Sequence, residues 1–112
     1  MSEVYVSMTG FRPRGVVTFP AFVWRTLTSL SQARRAPGNL GVTARIVNGT
    51  YHTMTIWTDE TSMRRFIHSG AHRRAMQNFR ALGSGKTFGY QCAGVPDWDI
   101  VYRLWCTEAK DA

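Results

Sequence analysis

Asn48-Gly49 lies between two runs of alternating residues, Leu40 to Val47 and Tyr51 to Trp57. Both turn positions tolerate positive φ, the geometry that a two-residue hairpin loop requires. The dipeptide therefore predicts two antiparallel strands joined by a tight turn, and the rest of the chain has to be arranged around that hairpin. Asn48-Gly49-Thr50 also fits a glycosylation acceptor, but it reads better as the turn.

Glu3 to Thr9 alternates and is rich in Val and Tyr, which predicts a first strand. Gly10 to Val17, containing Arg12-Pro13-Arg14-Gly15, reads as a loop. Thr18 can cap a helix whose first turn holds Pro20. Phe19, Phe22, Val23, Leu27 and Leu30 then form one apolar stripe, and Pro37-Gly38 stops the helix. After the hairpin, Thr58 or Asp59 caps a second helix with Met63, Phe66 and Ile67 on its apolar face. Ser69-Gly70 loosens that helix. It resumes with His72, Ala75, Met76 and Phe79 at i, i+3, i+4 and i+7, and Gly83-Ser84-Gly85 ends it. Thr87 to Gly94 is a fourth strand. Pro96-Asp97 opens a short final helix carrying Ile100, Val101, Leu104 and Trp105.

The order β-α-β-β-α-β predicts an α+β, ferredoxin-like domain spanning 1–112. Its four-stranded antiparallel sheet carries helices on one face and is followed by a short C-terminal helix. The strands offer apolar or aromatic residues to both faces: Tyr51 and Trp57 on one side of the third strand, Met54 and Ile56 on the other. A sheet face left open in this way calls for a partner, and a second copy of the chain in a homodimer is the simplest one.

Charge and composition exclude several classes. Fourteen basic residues against seven acidic ones give a net charge of +7. The basic residues are mostly Arg, scattered as pairs at Arg34-Arg35, Arg64-Arg65 and Arg73-Arg74, with no basic block of the kind a nucleic-acid arm carries. This predicts a solvated surface and no specific nucleic-acid binding. No apolar run is long enough to span a bilayer, and the N-terminus lacks the pattern of a signal peptide. Cys92 and Cys106 make neither a disulfide framework nor a CxxC pair. The expectation is a cytoplasmic protein that does not associate with membranes.

Tyr51-His52-Thr53-Met54-Thr55-Ile56-Trp57-Thr58-Asp59-Glu60, then Met63-Arg64-Arg65-Phe66, then Ser69-Gly70-Ala71-His72-Arg73 resemble the dimeric α/β-barrel superfamily. Within it, the chain is similar to antibiotic-biosynthesis-monooxygenase-like and spheroidene-monooxygenase-like proteins. Val6-Ser7-Met8-Thr9-Gly10-Phe11-Arg12-Pro13-Arg14-Gly15 and Ala36-Pro37-Gly38-Asn39-Leu40-Gly41 fit the second group. The resemblance implies a dimeric barrel with a hydrophobic pocket between helices and sheet. It implies oxidation or rearrangement of an apolar substrate, aromatic and polyketide-like or isoprenoid, with either no cofactor or haem. Trp57 and Phe66 would stand near the pocket wall.

His72 is the main candidate for chemistry, because imidazole is the usual base near neutral pH and a common axial ligand of haem iron. Its helical stripe places Met76 and Phe79 beside it. With Phe22, Trp57 and Phe66 these residues could line the pocket, although such stripes also simply fill cores. The alternative is a non-catalytic ligand-binding dimer. His68 and His72 have i, i+4 spacing, but no Glu follows His68 as in a zinc HExxH motif, so no metal site is expected. Gly83-Ser84-Gly85-Lys86-Thr87 is not a phosphate loop: position 80 is Arg, and the segment leads into a strand. No GxSxG or GxGxxG motif is present.

Overall fold

The computed structural model describes residues 3–13, 27–28, 30–69 and 83–111. Five strands form one antiparallel sheet: β1 (Glu3–Pro13), β2 (Asn39–Val47), β3 (Thr50–Trp57), β4 (Gly83–Ala93) and β5 (Lys110–Asp111), in the order β2-β3-β1-β4-β5. The helical segments are α1 (30–35), α2 (Glu60–Ile67) and α3 (Trp98–Glu108). This is the expected ferredoxin-like α+β arrangement, with one short strand added at an edge.

The Asn48-Gly49 turn joins β2 to β3, with φ of 51° and 78°. Arg12 donates to the Asn48 carbonyl at 3.1 Å and ties the turn to β1. Asp59 caps α2, its carboxylate accepting from the Ser62 backbone N–H at 2.7 Å.

Two boundaries differ from expectation. β1 runs through Gly10 to Pro13 instead of looping out, and Gly83, Ser84 and Gly85 belong to β4. The two extensions account for each other: Phe11 pairs with Gly85, Arg12 with Ser84 and Pro13 with Gly83. Gly and Pro usually punctuate strands, but here pairing between neighbouring strands outweighs local propensity.

The sheet's two faces divide the chain. Val4, Val6, Met8, Met54 and Ile56 project to one side, where α3 covers them with Trp98 and Val101 to form the apolar core, and His52 is buried on the same side. On α3 the inward positions are Trp98, Val101, Tyr102 and Trp105, whereas Ile100 faces solvent at 51% exposure. The C-terminal helix thus occupies part of the face that sequence reasoning left open to a partner. Tyr5, Ser7, Thr9, Thr53, Thr55 and Trp57 point to the opposite side by register, where Phe66 of α2 meets Trp57. Leu27, expected on an inward stripe, is exposed.

Candidate functional site

Trp57 closes β3 and is 1% exposed. Its ring lies 5.5 Å from that of Phe66, tilted by 33°. Large rings on adjacent elements are how a chain of this length encloses apolar volume. The two residues expected at the pocket wall are therefore in contact. The indole Nε1–H of Trp57 is buried and has no hydrogen-bond partner. Native proteins rarely leave such a donor unpaired, since the loss is roughly 1–3 kcal/mol.

Tyr5 is the β1 register partner of Trp57. Its phenol packs against Gly89, where any side chain would collide with it. Burial, reinforced by the Glu60 carboxylate, raises the phenol pKa and keeps Tyr5 a neutral donor. Ser7, Thr9, Thr55 and Thr87 continue the same face, and the hydroxyls of Thr9 and Thr87 lie 3.2 Å apart. The face is thus aromatic at the Trp57 end and hydroxyl-rich beyond it.

Phe22, His72, Met76 and Phe79 lie outside the described residues. His68 is exposed at the C-cap of α2. A cavity of about 330 Å³ is lined by Leu27, Leu30, Ser31, Arg34 and Arg35, and neither Trp57 nor Phe66 borders it. Among the described residues no group of three or more His, Cys, Asp or Glu could hold a metal ion, and no helix is long and apolar enough to cross a membrane.

Sequence reasoning passed over His52. It is 2% exposed on the α3 side of the sheet and is ringed edge-on by Trp98, Tyr102 and Trp105, with centroids 6.0, 5.1 and 4.6 Å away. Its Nδ1 has no partner, and burial lowers the imidazole pKa, so the ring is neutral near pH 7. The Arg45 guanidinium stacks 4.7 Å over Trp98 on the same side. Three surrounding rings leave His52 no open flank for a macrocycle, so it does not fit as a haem ligand. The signal was available: His52 alternates in phase with Met54 and Ile56.

No protein-family model matches the chain, and no curated protein matches it. Solved structures do. A mutant form of SnoaB, a cofactor-independent oxygenase from Streptomyces nogalater, matches with a TM-score of 0.71 and 19% identity, covering 87% of this chain and 100% of that one. An antibiotic biosynthesis monooxygenase matches with a TM-score of 0.69 and 10% identity over 82% of this chain and 99% of that one. A conserved protein from Methanosarcina mazei matches with a TM-score of 0.68 and 11% identity, over 85% of this chain and 95% of that one. The chain has the fold of the antibiotic-biosynthesis-monooxygenase-like α/β proteins.

Proposed function

We propose that this protein is a small-molecule enzyme of monooxygenase type, taking an apolar substrate, aromatic and polyketide-like or isoprenoid, against Trp57 and Phe66. The observation that carries the reading is the buried indole of Trp57, packed on Phe66 with its N–H unpaired. A binding wall combining flat apolar area with an unused donor suits a planar ligand that carries oxygen. A fold shared with a cofactor-independent oxygenase adds support.

In this reading His72 serves as the base, with Phe22, Met76 and Phe79 completing the pocket. Removing a proton from an activated ring leaves an anion that dioxygen oxidises more readily, and N–H donors aimed at the developing charge stabilise it. A homodimer in the cytoplasm, without specific nucleic-acid or membrane contacts, completes the proposal. Haem is the alternative to working without a cofactor.

Anthrone tests the reaction, because its methylene and one dioxygen give the quinone carbonyl and one water. Oxygen uptake above the uncatalysed rate, lost in both Trp57→Phe and His72→Phe proteins that melt like the parent, supports the proposal. Binding of anthrone without uptake points instead to a non-catalytic ligand-binding dimer. A Soret band on adding haemin, abolished in His72→Ala, selects the haem form.

A further inference from the structure

The cavity of about 330 Å³ stands on the exposed side of α1 and of the helical pair Leu27-Thr28 before it. Ala33 is 3% exposed and marks the buried side. Leu27, Ser31 and Arg34 recur at i, i+4 and i+7, the spacing of one helical stripe, and all three are exposed. Leu30 and Arg35 flank that stripe and complete the lining. Along the chain the leucines come first and the arginines last. The wall is therefore apolar at one end and cationic at the other, with the Ser31 hydroxyl between them.

The cationic end is not neutralised from within. All seven side-chain carboxylates of the chain lie among the described residues, and the ion pair found there is Arg64–Glu60. Arg34 and Arg35 take no carboxylate among the described residues. Cations in the last turn of a helix suit its macrodipole. That accounts for their charge but not for an apolar recess beside them. Two guanidinium forks on successive residues can donate to several oxygens of one anionic head. A helix that lies on a bilayer separates polar from apolar residues around its axis. Here the separation runs along the axis, within one stripe, which suits a molecule laid lengthwise in the recess.

We propose that this cavity binds a small amphiphilic anion, its aliphatic tail against Leu27 and Leu30 and its carboxylate or phosphate head held by Arg34 and Arg35. Neither Trp57 nor Phe66 borders the cavity, so the site is independent of the proposed reaction.

Octanoate, octyl phosphate and octanol are the probes. Each is titrated, below the concentration at which it self-associates, into the parent protein and into the double variant Arg34→Gln, Arg35→Gln. Calorimetry gives the affinity, and backbone amide shifts locate the site. At least one of the two anions is expected to shift the amides of 30–35 and to bind about ten-fold more weakly to the double variant, with octanol within about two-fold of the parent. Leu27→Ser weakens all three probes. These side chains are exposed, so both variants melt close to the parent. The anion that binds more tightly identifies the head group as carboxylate or phosphate. Equal anion affinity in the parent and the double variant overturns the proposal, as do shifts centred on β3 in place of α1. Failure of both anions to bind the parent also overturns it; co-sedimentation with phosphatidylglycerol vesicles would then assign the arginines to a membrane surface.

Discussion

The ring of His52 meets that of Trp105 edge-on, centroids 4.6 Å apart and planes at 89°. The contact depends on Gly10, the β1 register partner of His52. A Cβ at Gly10 would collide with the Trp105 ring and come within 2.9 Å of His52 Cε1. The indole is also fixed by its N–H, which donates to Lys86 O at 3.0 Å. Gly10→Ala therefore has to push α3 off the sheet. Loss of about 1–3 kcal/mol of stability in urea denaturation is expected, as for other overpacked cores. A variant as stable as the parent would mean that α3 sits loosely.

His52 also sets a pH dependence. Burial lowers its folded pKa, while the unfolded chain titrates at about 6.5. Above that pH both states are neutral and His52 contributes no slope. As pH falls through about 6.5, the unfolded chain takes up a proton that the folded chain resists, so stability declines. The decline is at most about 1.4 kcal/mol per pH unit and levels off once the folded pKa is passed. His52→Phe keeps a ring among Trp98, Tyr102 and Trp105 and removes the titration. Denaturation midpoints across this acid range should be flatter for the variant; an identical slope would assign the effect to other groups.

Asp59 holds the start of α2 through its bond to Ser62 N–H. That bond, first among the causes, lowers the Asp59 pKa. Stability from the cap is complete above the ordinary carboxylate range and is lost as pH falls through the depressed value. Asp59→Ala should lower the melting temperature at neutral pH and speed amide exchange over Glu60–Arg64, with Asp59→Asn intermediate. Equal exchange rates in the parent and Asp59→Ala would show the cap to be unimportant.

The proposed homodimer has an identifiable edge. β2 is an outer strand, and Ile46 and Leu40 on it are 65% and 55% exposed. Light scattering at micromolar concentration should give twice the 12.7 kDa chain mass. Ile46→Lys should lower that mass, since charge on an edge strand discourages pairing. A monomeric parent rules out the dimer at that concentration.

The hairpin, the cap of α2 and the two-sided character of β3 were all legible in the sequence, because each rests on neighbours a few residues apart. The extension of β1 to Pro13 was not, since only pairing with Gly83 to Gly85, distant along the chain, supports it. Trp57 and Phe66, which the resemblance put near a pocket wall, have ring centroids 5.5 Å apart, a contact that residue spacing alone did not state. The pairing of Asn39 with Trp57 could not be anticipated. Simple alternation places Leu40 in phase with Val42, Ala44 and Ile46, and only the skipped pair at Leu40 hands its place to Asn39. His52 could have been found, because its phase is that of Met54 and Ile56; what alternation does not reveal is the trio of rings that α3 brings to it.

β3 carries two kinds of information in one strand. Its even positions, His52, Met54 and Ile56, serve the α3 side, and its odd positions, Thr53, Thr55 and Trp57, serve the other. Tolerance to substitution along the strand should then oscillate with a period of two. Changes at even positions should deplete folded protein, while changes at the half-buried Thr53 and Thr55 should be better tolerated, with the buried Trp57 the exception among the odd positions. If the odd face holds the proposed ligand, drift at every second residue would retune its fit while leaving the packing under α3 almost untouched.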